Sequence, residues 1–581
     1  MEFSATNEPA APGEASFRWT LLLCALALAA AVLAYQDVGR FGFCDLDDSA
    51  YVTENRLVLS GLSWETVRQA FVPDAHAYLS PLVTLSFMLD GQLFGLWAGG
   101  FHLVNLLWHC ANVALFFLLV LRLSGSRAAA LLAGLLLAAH PAHIEAVAWI
   151  SARKDMISTF FGLCAINIYI GWARKPSALR NIGLHACHGL SLLAKPMLAT
   201  LPGLLLLLDF WPLRRLGEGA PLLPGWRRGL ALVREKLLLL ALGLLATFVT
   251  VRTHFEAYDR LDPDFGLKLA NGLAAYAKYL GLLVWPHDQA IVYPFPASVP
   301  LAHSMGAALL LAALTGLCLW QRRQRPYLLV GWLWFLVSLL PVIAPPKVGL
   351  HVALADRWAY VPFMGLYLAL GCLVAEGLER LARVWKAALC AVLVAWAALL
   401  MAQHQRQLAT WATPVSIYEQ ALRVTTDSHV VLNNYGGLKA GEGDDAAAEA
   451  AYLEALRIHP RYGMCLFNLG LLRMRQERYP EALGYLARAG EELGKIGMGY
   501  EPARAMAYCL AKMGRTEEAQ ELYAMCVQLQ PERVAAYLDW AKLAASLGRT
   551  ERARALYRKS QEIAPGNPAA REGLAALDAA P

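Results

Sequence analysis

Acidic and basic residues border the hydrophobic segments of this chain, where they could act on a lipid-linked substrate. Three carboxylates, Asp45, Asp47 and Asp48, directly follow the first hydrophobic segment, and a basic pair, Arg153-Lys154, adjoins a later one. A carboxylate can take a proton from a hydroxyl group, and cations can hold a phosphate. Together they suggest chemistry on a sugar that a lipid phosphate carries.

Each cluster also has a simpler interpretation. A run of aspartates commonly caps a turn and faces water. Arg153 and Lys154 could instead extend towards the membrane surface, with Asp155 as their counter-ion. The spacing alone leaves these alternatives open, and it does not distinguish which aspartate acts as the base.

Composition indicates an integral membrane protein with a soluble part. Of 581 residues, 57% are hydrophobic and 17% are charged, and apolar stretches recur from residue 19 to about residue 402. The net charge of +6 is spread over short basic loops, which argues against a nucleic-acid partner. Eleven cysteines show no metal-ligand or disulfide spacing, and most lie inside apolar segments, so no cofactor is predicted.

Eleven segments are apolar enough to cross a membrane. They are 19–35, 102–121, 127–139, 156–172, 181–194, 197–211, 237–252, 303–320, 327–343, 357–376 and 386–402. Short basic loops face the cytoplasm, which places the N-terminus (1–18) inside and the C-terminus outside. Segment 269–286 is also apolar, but counting it as a span would move the basic turn at 322–325 outside. We therefore expect an interfacial or re-entrant helix there.

The predicted outer face contains two long loops, 36–100 and 253–302, and most of the polar motif residues. Lys195 and Arg357 join Arg153 and Lys154 on this side, where an anionic lipid phosphate is a natural partner for cations. Further polar and aromatic residues are expected to line the same cavity: His140, His143, Glu145, Asp356 and Trp358. Two histidines and a glutamate could also hold a divalent ion, although their spacing fits no strong metal motif.

The residues after the last span carry a repeat. Pro531 and Pro565 lie 34 residues apart, and alanine, tyrosine and glycine recur at fixed distances before them. This period, with a small residue where helices cross, is typical of tetratricopeptide repeats. We expect about four repeats over 429–566, after a linker at 404–428 and before a tail at 567–581. A partial repeat upstream, near Val415–Leu422, is an alternative for part of the linker. Such arrays bind extended peptides or proteins, although a purely structural spacer is an alternative.

Several blocks together resemble a known family. DLDDSAYVTEN, HPAHIEAVAWISARKDM, AKPMLATLPGLLLLLDFWPLRR and ADRWAYVPFMGLY, followed by repeats, are similar to bacterial relatives of the transmembrane-and-tetratricopeptide (TMTC-type) protein O-mannosyltransferases. The family's acidic pair corresponds to Asp47-Asp48, and its basic element corresponds to Arg153-Lys154. Its third motif corresponds to Asp356-Arg357-Trp358, although Trp358 replaces the more common tyrosine or phenylalanine.

The resemblance implies a GT-C fold, that is, an all-α polytopic bundle over 19–403 followed by the tetratricopeptide solenoid. It implies transfer of mannose or another hexose from a polyprenyl-phosphate donor to a serine or threonine hydroxyl of a protein. The location would be a bacterial inner membrane, with the repeats in the periplasm. The alternatives are a non-enzymatic scaffold for a cell-envelope complex and a transporter of lipid-linked sugars. The chain lacks a Walker loop, so it does not support an ATP-driven transporter.

Overall fold

The computed structural model describes residues 14–44, 46–72, 80–215, 226–258, 264–343 and 352–579. Within these ranges the chain is all-α, as expected, and its β structure is limited to one isolated bridge between Pro294 and Val352. The chain divides into two compact units, with the boundary between Thr425 and Thr426.

The first unit contains eighteen described helices. They are α1 (Glu14–Ala34), α2 (Arg56–Ser60), α3 (Trp64–Gln69), α4 (Pro81–Phe94), α5 (Ala98–Ser124), α6 (Arg127–Ala139), α7 (Ile144–Ala148), α8 (Arg153–Arg174), α9 (Ala178–Ala194), α10 (Leu201–Phe210), α11 (Trp226–Arg234), α12 (Leu237–Tyr258), α13 (Phe265–Val284), α14 (Leu301–Gln321), α15 (Pro326–Ile343), α16 (Tyr360–Arg380), α17 (Arg383–Ala409) and α18 (Pro414–Val424).

All eleven predicted spans coincide with helices, but fewer pass a membrane-crossing test on their own. Among the described residues, seven helical stretches are long and apolar enough: Phe17–Arg40, Ala98–Ser124, Ile150–Arg174, Leu301–Gln321, Pro326–Ile343, Asp356–Arg380 and Arg383–Ala409. A bent pair, Arg127–Ala139 with Pro141–Ala148, forms an eighth if it counts as one span. The protein is therefore a membrane protein, and the count of eleven crossings stays a prediction.

The bend in that pair has a local cause. His140 adopts an extended backbone conformation between α6 and the turn Pro141–His143, and the two helical stretches meet at 54°. Because the proline ring disfavours helical geometry at the preceding residue, the chain turns at His140. This turn begins the polar corner, residues 140–155, where most of the candidate site residues lie or make contacts.

The helices of the first unit approach each other closely at glycines. A Cβ atom at Gly331 of α15 would lie 2.3 Å from the carbonyl oxygen of Gly365 of α16, and one at Gly365 would lie 2.5 Å from that of Gly331. Neither position therefore accommodates a larger side chain. Such small-residue contacts are a common way for membrane helices to pack.

The long loop 36–100 contains helices and buried side chains in its described residues. It contains α2, α3 and α4, and Val83, Phe87 and Met88 of α4 are fully buried against the protein. Leu89 and Leu93 of the same helix are exposed. The segment expected at 269–286 forms α13, whose Tyr276 and Tyr279 donate hydrogen bonds to the backbone oxygens of Leu336 and Ala355.

The second unit contains the predicted repeats as four successive helix pairs and one further helix. They are α19 (His429–Gly441), α20 (Asp445–Ile458), α21 (Gly463–Arg475), α22 (Tyr479–Gly494), α23 (Tyr500–Lys512), α24 (Thr516–Leu529), α25 (Val534–Ser546), α26 (Thr550–Ile563) and α27 (Pro568–Ala579). The repeat residues are buried as the pattern requires: Ala448, Ala519 and Ala553 are fully buried, and Tyr452, Tyr523 and Tyr557 are nearly so.

The two segments that flank the predicted repeats are also helical in the described residues. The expected linker 404–428 contains the end of α17 and all of α18, which begins with a capping box between Thr413 and Ser416 and buries Ile417 and Tyr418. The expected tail 567–581 contains α27, whose Gly573 packs tightly on Tyr557. In both cases a buried apolar face makes the segment part of its unit.

Candidate functional site

The two adjacent aspartates after the first helix lie in different environments. Asp48 is fully buried, and its carboxylate accepts hydrogen bonds from the Cys44 backbone N–H (2.8 Å) and from the Ser151 N–H (3.1 Å) and hydroxyl (2.5 Å). Burial raises the pKa of Asp48 to about 6, against the opposing effect of these hydrogen bonds. Asp48 thereby joins the first loop to the turn before α8.

Asp47 is the accessible member of the pair. Its side chain is 38% exposed, and its Oδ2 atom lies 3.7 Å from Nζ of Lys154. The Lys154 ammonium also lies 4.7 Å from the ring centroid of Tyr51. The Asp47 carboxylate is therefore partly open to solvent, whereas the Asp48 carboxylate is enclosed by protein. The third predicted carboxylate, Asp45, lies outside the described residues.

Arg153 is placed differently from its neighbour. Its guanidinium group is fully buried, forms an ion pair with Asp90 and donates hydrogen bonds to Ser86 Oγ (2.8 Å), Asn105 Oδ1 (2.6 Å) and the Phe101 carbonyl (2.7 Å). These contacts tie the start of α8 to α4 and α5. All of these partners are protein groups, and the place of Arg153 in a phosphate site stays a prediction.

Three cations lie together at the polar corner, each beside a carboxylate. Besides Lys154, Lys195 Nζ lies 2.5 Å from Asp155 Oδ1, and Arg357 forms an ion pair with Glu145. Lys154 and Lys195 interact electrostatically with each other and with Arg357. The structure thus brings together three of the four predicted phosphate-binding cations.

Trp149 lies close to two of these cations, a contact that the sequence did not suggest. The Arg357 guanidinium carbon lies 5.1 Å from its ring centroid and Lys154 Nζ lies 6.0 Å away. Cations are attracted to the face of an indole. In the sequence, the position of Trp149, four residues before Arg153 and five before Lys154, was the signal that could have indicated this contact.

The histidines of the corner point to separate partners. The Nε2 atom of His140 lies 3.0 Å from the Leu283 carbonyl oxygen, and that of His143 lies 2.8 Å from the Tyr367 hydroxyl. Glu145 is held by Arg357, whose backbone N–H donates to its Oε2 atom over 2.8 Å. The three residues therefore do not converge on a common point, and the described residues contain no group of three potential metal ligands.

Asp356 and Trp358 border the same corner. Asp356 is buried and accepts hydrogen bonds from the Tyr293 hydroxyl (3.1 Å) and the Gln289 amide (3.2 Å). Trp358 is buried beside Arg357, at 5.9 Å from its guanidinium carbon. Asp356 therefore connects the Asp356-Arg357-Trp358 motif to the loop after α13. Its carboxylate is enclosed by these partners and is not exposed to solvent.

The comparisons with known proteins support this arrangement of parts. Residues 438–492 and 510–577 each match the tetratricopeptide repeat family. Protein O-mannosyl-transferase Tmtc3 of Drosophila melanogaster is 26% identical over 558 residues, covering 80% of this chain and 59% of that protein. Protein O-mannosyl-transferase TMTC3 of Mus musculus is 23% identical over 538 residues, covering 81% and 55%. Protein O-mannosyl-transferase tmtc2 of Xenopus laevis is 36% identical over 155 residues, covering 25% and 18%.

The resemblance to TMTC-type protein O-mannosyltransferases is thereby confirmed over most of the chain. It supports a glycosyltransferase role, and the repeats point to peptide or protein binding. The chain spans a little more than half the length of the two relatives that it matches most extensively.

Proposed function

We propose that this protein transfers a hexose, mannose by resemblance, from a polyprenyl-phosphate donor to a hydroxyl group of a protein. The observation that carries the proposal is the pairing of an accessible carboxylate, Asp47, with a cluster of three cations: Lys154, Lys195 and Arg357. A base and an anion site are the two groups that such a transfer requires. The similarity to named O-mannosyl-transferases supports the same reaction class.

Asp47 is the proposed general base. The acceptor oxygen attacks the anomeric carbon of the sugar while its proton passes to the Asp47 carboxylate. The bond between that carbon and the phosphate oxygen breaks, and its electron pair leaves with the lipid phosphate. A single displacement of this kind inverts the anomeric configuration and needs no covalent enzyme intermediate.

The cation cluster stabilises the leaving group. Negative charge on the lipid phosphate grows as the glycosidic bond breaks, and nearby cations lower the energy of that state more than that of the bound donor. Lys154, Lys195 and Arg357 are each paired with a carboxylate in this structure. A bound phosphate would therefore share these cations with the carboxylates or take the place of the carboxylates beside them.

Asp48 and Arg153 have positioning roles in this proposal. The hydrogen bonds of Asp48 hold the first loop against Ser151, and Arg153 fixes the start of α8. Together they hold Asp47 and Lys154 on neighbouring segments. His140, His143, Glu145, Asp356 and Trp358 shape the surrounding corner.

The repeat unit recruits the protein acceptor, and the reaction takes place on the extracytoplasmic face of a bacterial inner membrane. The orientation rests on the basic loops of the sequence. The four helix pairs are of the kind that bind extended peptides.

A non-enzymatic scaffold is the second candidate, and the repeat unit favours it. A scaffold would need only one membrane anchor, whereas seven helices among the described residues are long and apolar enough to cross. It would also have no need for a cluster of three cations beside an accessible carboxylate.

Transfer of radiolabelled sugar tests the proposal directly. The purified full chain in liposomes would be incubated with a panel of polyprenyl-phosphate sugars and with envelope proteins. We expect label to reach protein with one donor and to be absent without the enzyme. No transfer with any donor, together with repeat-dependent capture of a partner by a folded protein, would favour the scaffold.

A further inference from the structure

Helix α11 is a short basic helix with an exposed apolar face that the proposed reaction does not use. Its sequence is WRRGLALVR, and Trp226, Leu230 and Val233 are 72%, 42% and 40% exposed. These three positions follow a spacing of four and three residues, so they share one face of the helix. Leu232, on another face, is buried.

Basic residues flank this apolar face. Arg227 and Arg234 are seven residues apart and lie beside it, and the Arg227 guanidinium carbon lies 5.3 Å from the Trp226 ring centroid. Arg228 adds a third exposed charge. Throughout the described part of the chain, no carboxylate pairs with any of the three. Unpaired arginines beside exposed apolar side chains are typical of a helix in the headgroup region.

An ion-pair network fixes the orientation of α11. Directly after the helix, Glu235 pairs with Arg215 (2.7 Å) and Lys236 pairs with Asp209 (2.7 Å), and Asp209 and Lys236 are almost completely buried. Lys236 Nζ also donates to the Leu232 carbonyl over 3.1 Å. The exposed face of α11 is therefore held in one direction by the ends of neighbouring helices.

The next helix shows where the lipid lies. Leu237, Leu238, Leu244, Leu245 and Phe248 of α12 are all exposed, as expected for side chains that contact acyl chains. Since α11 ends three residues before α12 begins, it lies near the end of a lipid-facing helix, where headgroups are found.

We propose that α11 is a docking surface for anionic phospholipid headgroups. Trp226, Leu230 and Val233 enter the boundary between headgroups and acyl chains, and Arg227 and Arg234, which lie beside this face, bind the lipid phosphates. This surface is distinct from the proposed catalytic corner, and it does not depend on the proposed function. Anionic lipids of the leaflet that the basic loops face would supply the charge.

The test is lipid binding by the purified full chain in uncharged detergent. Native mass spectrometry would count bound phosphatidylglycerol and, separately, bound phosphatidylcholine, for the wild type and for the triple variant Arg227→Gln, Arg228→Gln and Arg234→Gln. We expect the wild type to prefer phosphatidylglycerol, and the variant to bind it about tenfold to a hundredfold more weakly. The preference should also fall with rising salt.

A matched control removes three other basic side chains from predicted cytoplasmic turns, by Arg322→Gln, Arg323→Gln and Arg383→Gln. This control should bind phosphatidylglycerol as the wild type does, and both variants should keep the thermal midpoint of the wild type. Equal binding of the two lipids by the wild type would contradict the proposal, as would an equal loss in both triple variants. An acidic protein as the true partner would give the first of these results.

Discussion

At the scale of single residues, the two adjacent aspartates show how the surroundings divide one motif into two roles. Asp48 has three hydrogen-bond donors around a buried carboxylate, whereas Asp47 is partly exposed beside Lys154. The sequence shows two identical residues and cannot distinguish them, because the difference depends on Ser151, which is 103 positions away in the chain.

The raised pKa of Asp48 predicts a pH dependence of stability. The folded chain keeps this proton up to about pH 6, whereas an unfolded aspartate releases it near pH 3.9. The folded state therefore binds more protons between these values, so the contribution of Asp48 to the free energy of unfolding falls as the pH rises from about 4 to about 6. A pKa difference of about two units corresponds to about 3 kcal/mol.

Comparison with Asp48→Asn isolates this contribution. Denaturant unfolding in micelles at several pH values should show the wild type losing about 3 kcal/mol more than the variant across that window. Parallel pH profiles for the two proteins would show that Asp48 is ionised throughout the window in the folded state, contrary to this account.

Arg153 and Lys154 should respond differently to mutation although they are adjacent. Arg153→Met leaves Asp90 buried without its cation, and we expect a loss of about 3–5 kcal/mol in the free energy of unfolding. Lys154→Gln removes a partly exposed cation beside Asp47 and should cost about 1 kcal/mol or less.

Donor binding separates the two roles further. On the proposed function, Lys154→Gln should raise the KM for the polyprenyl-phosphate sugar while the protein keeps its thermal midpoint. If instead Lys154→Gln destabilised the protein as much as Arg153→Met and left the KM unchanged, the cation cluster would be structural.

At the scale of helices, composition and periodicity predict most of the elements. Each of the eleven apolar segments is a helix, and the repeat period places all eight helices of the four pairs. Segments 404–428 and 567–581 were predicted only as a linker and a tail. Their helices bury only a few side chains each, such as Tyr418 and Ala570, and that burial depends on neighbouring helices.

The second repeat, formed by α21 and α22, contains a residue with a strained backbone conformation. Gly443, Gly514 and Gly548 follow the first helix of their repeats with φ of +84°, +77° and +70°, and Glu477 occupies the equivalent position with φ of +58°. A left-handed conformation costs a non-glycine residue about 1–2 kcal/mol, and glycine loses about 0.5–1 kcal/mol of that advantage through chain entropy.

We therefore expect Glu477→Gly to stabilise this repeat by about 0.5–1 kcal/mol. Hydrogen exchange of the α21 and α22 amides in the full chain should slow accordingly. Glu477→Ala serves as the control and should give no such protection. Equal protection in both variants would assign the effect to the lost glutamate side chain.

At the scale of the whole molecule, the sequence predicts two units of different kinds, and the structure agrees. The number of membrane crossings is harder to predict from the sequence. Helices α9, α10 and α12 are shorter or less apolar than the helices that pass the crossing test on their own. Hydropathy describes only the residues of the helix, whereas the depth to which a short helix enters the membrane also depends on the helices packed around it.

Orientation can be measured with fusion reporters. Alkaline phosphatase, which is active only outside the cytoplasm, should be active when fused after the repeat unit and inactive when inserted at the turn around Arg322 and Arg323. A fluorescent protein that folds only in the cytoplasm should give the opposite pattern. Activity of alkaline phosphatase at both places would contradict the predicted alternation of inside and outside loops.

The central claim is that Asp47 is the base of a sugar transfer, and one measurement tests it most directly. Transfer of labelled mannose from polyprenyl-phosphate mannose to protein would be compared in proteoliposomes for the wild type, Asp47→Asn and Asp37→Asn. Asp37 is a suitable control because it is a partly exposed carboxylate that pairs with Arg40 after the same first helix. We predict transfer about a hundredfold to ten-thousandfold slower for Asp47→Asn, and unchanged for Asp37→Asn. Normal turnover by a correctly folded Asp47→Asn protein would contradict the mechanism.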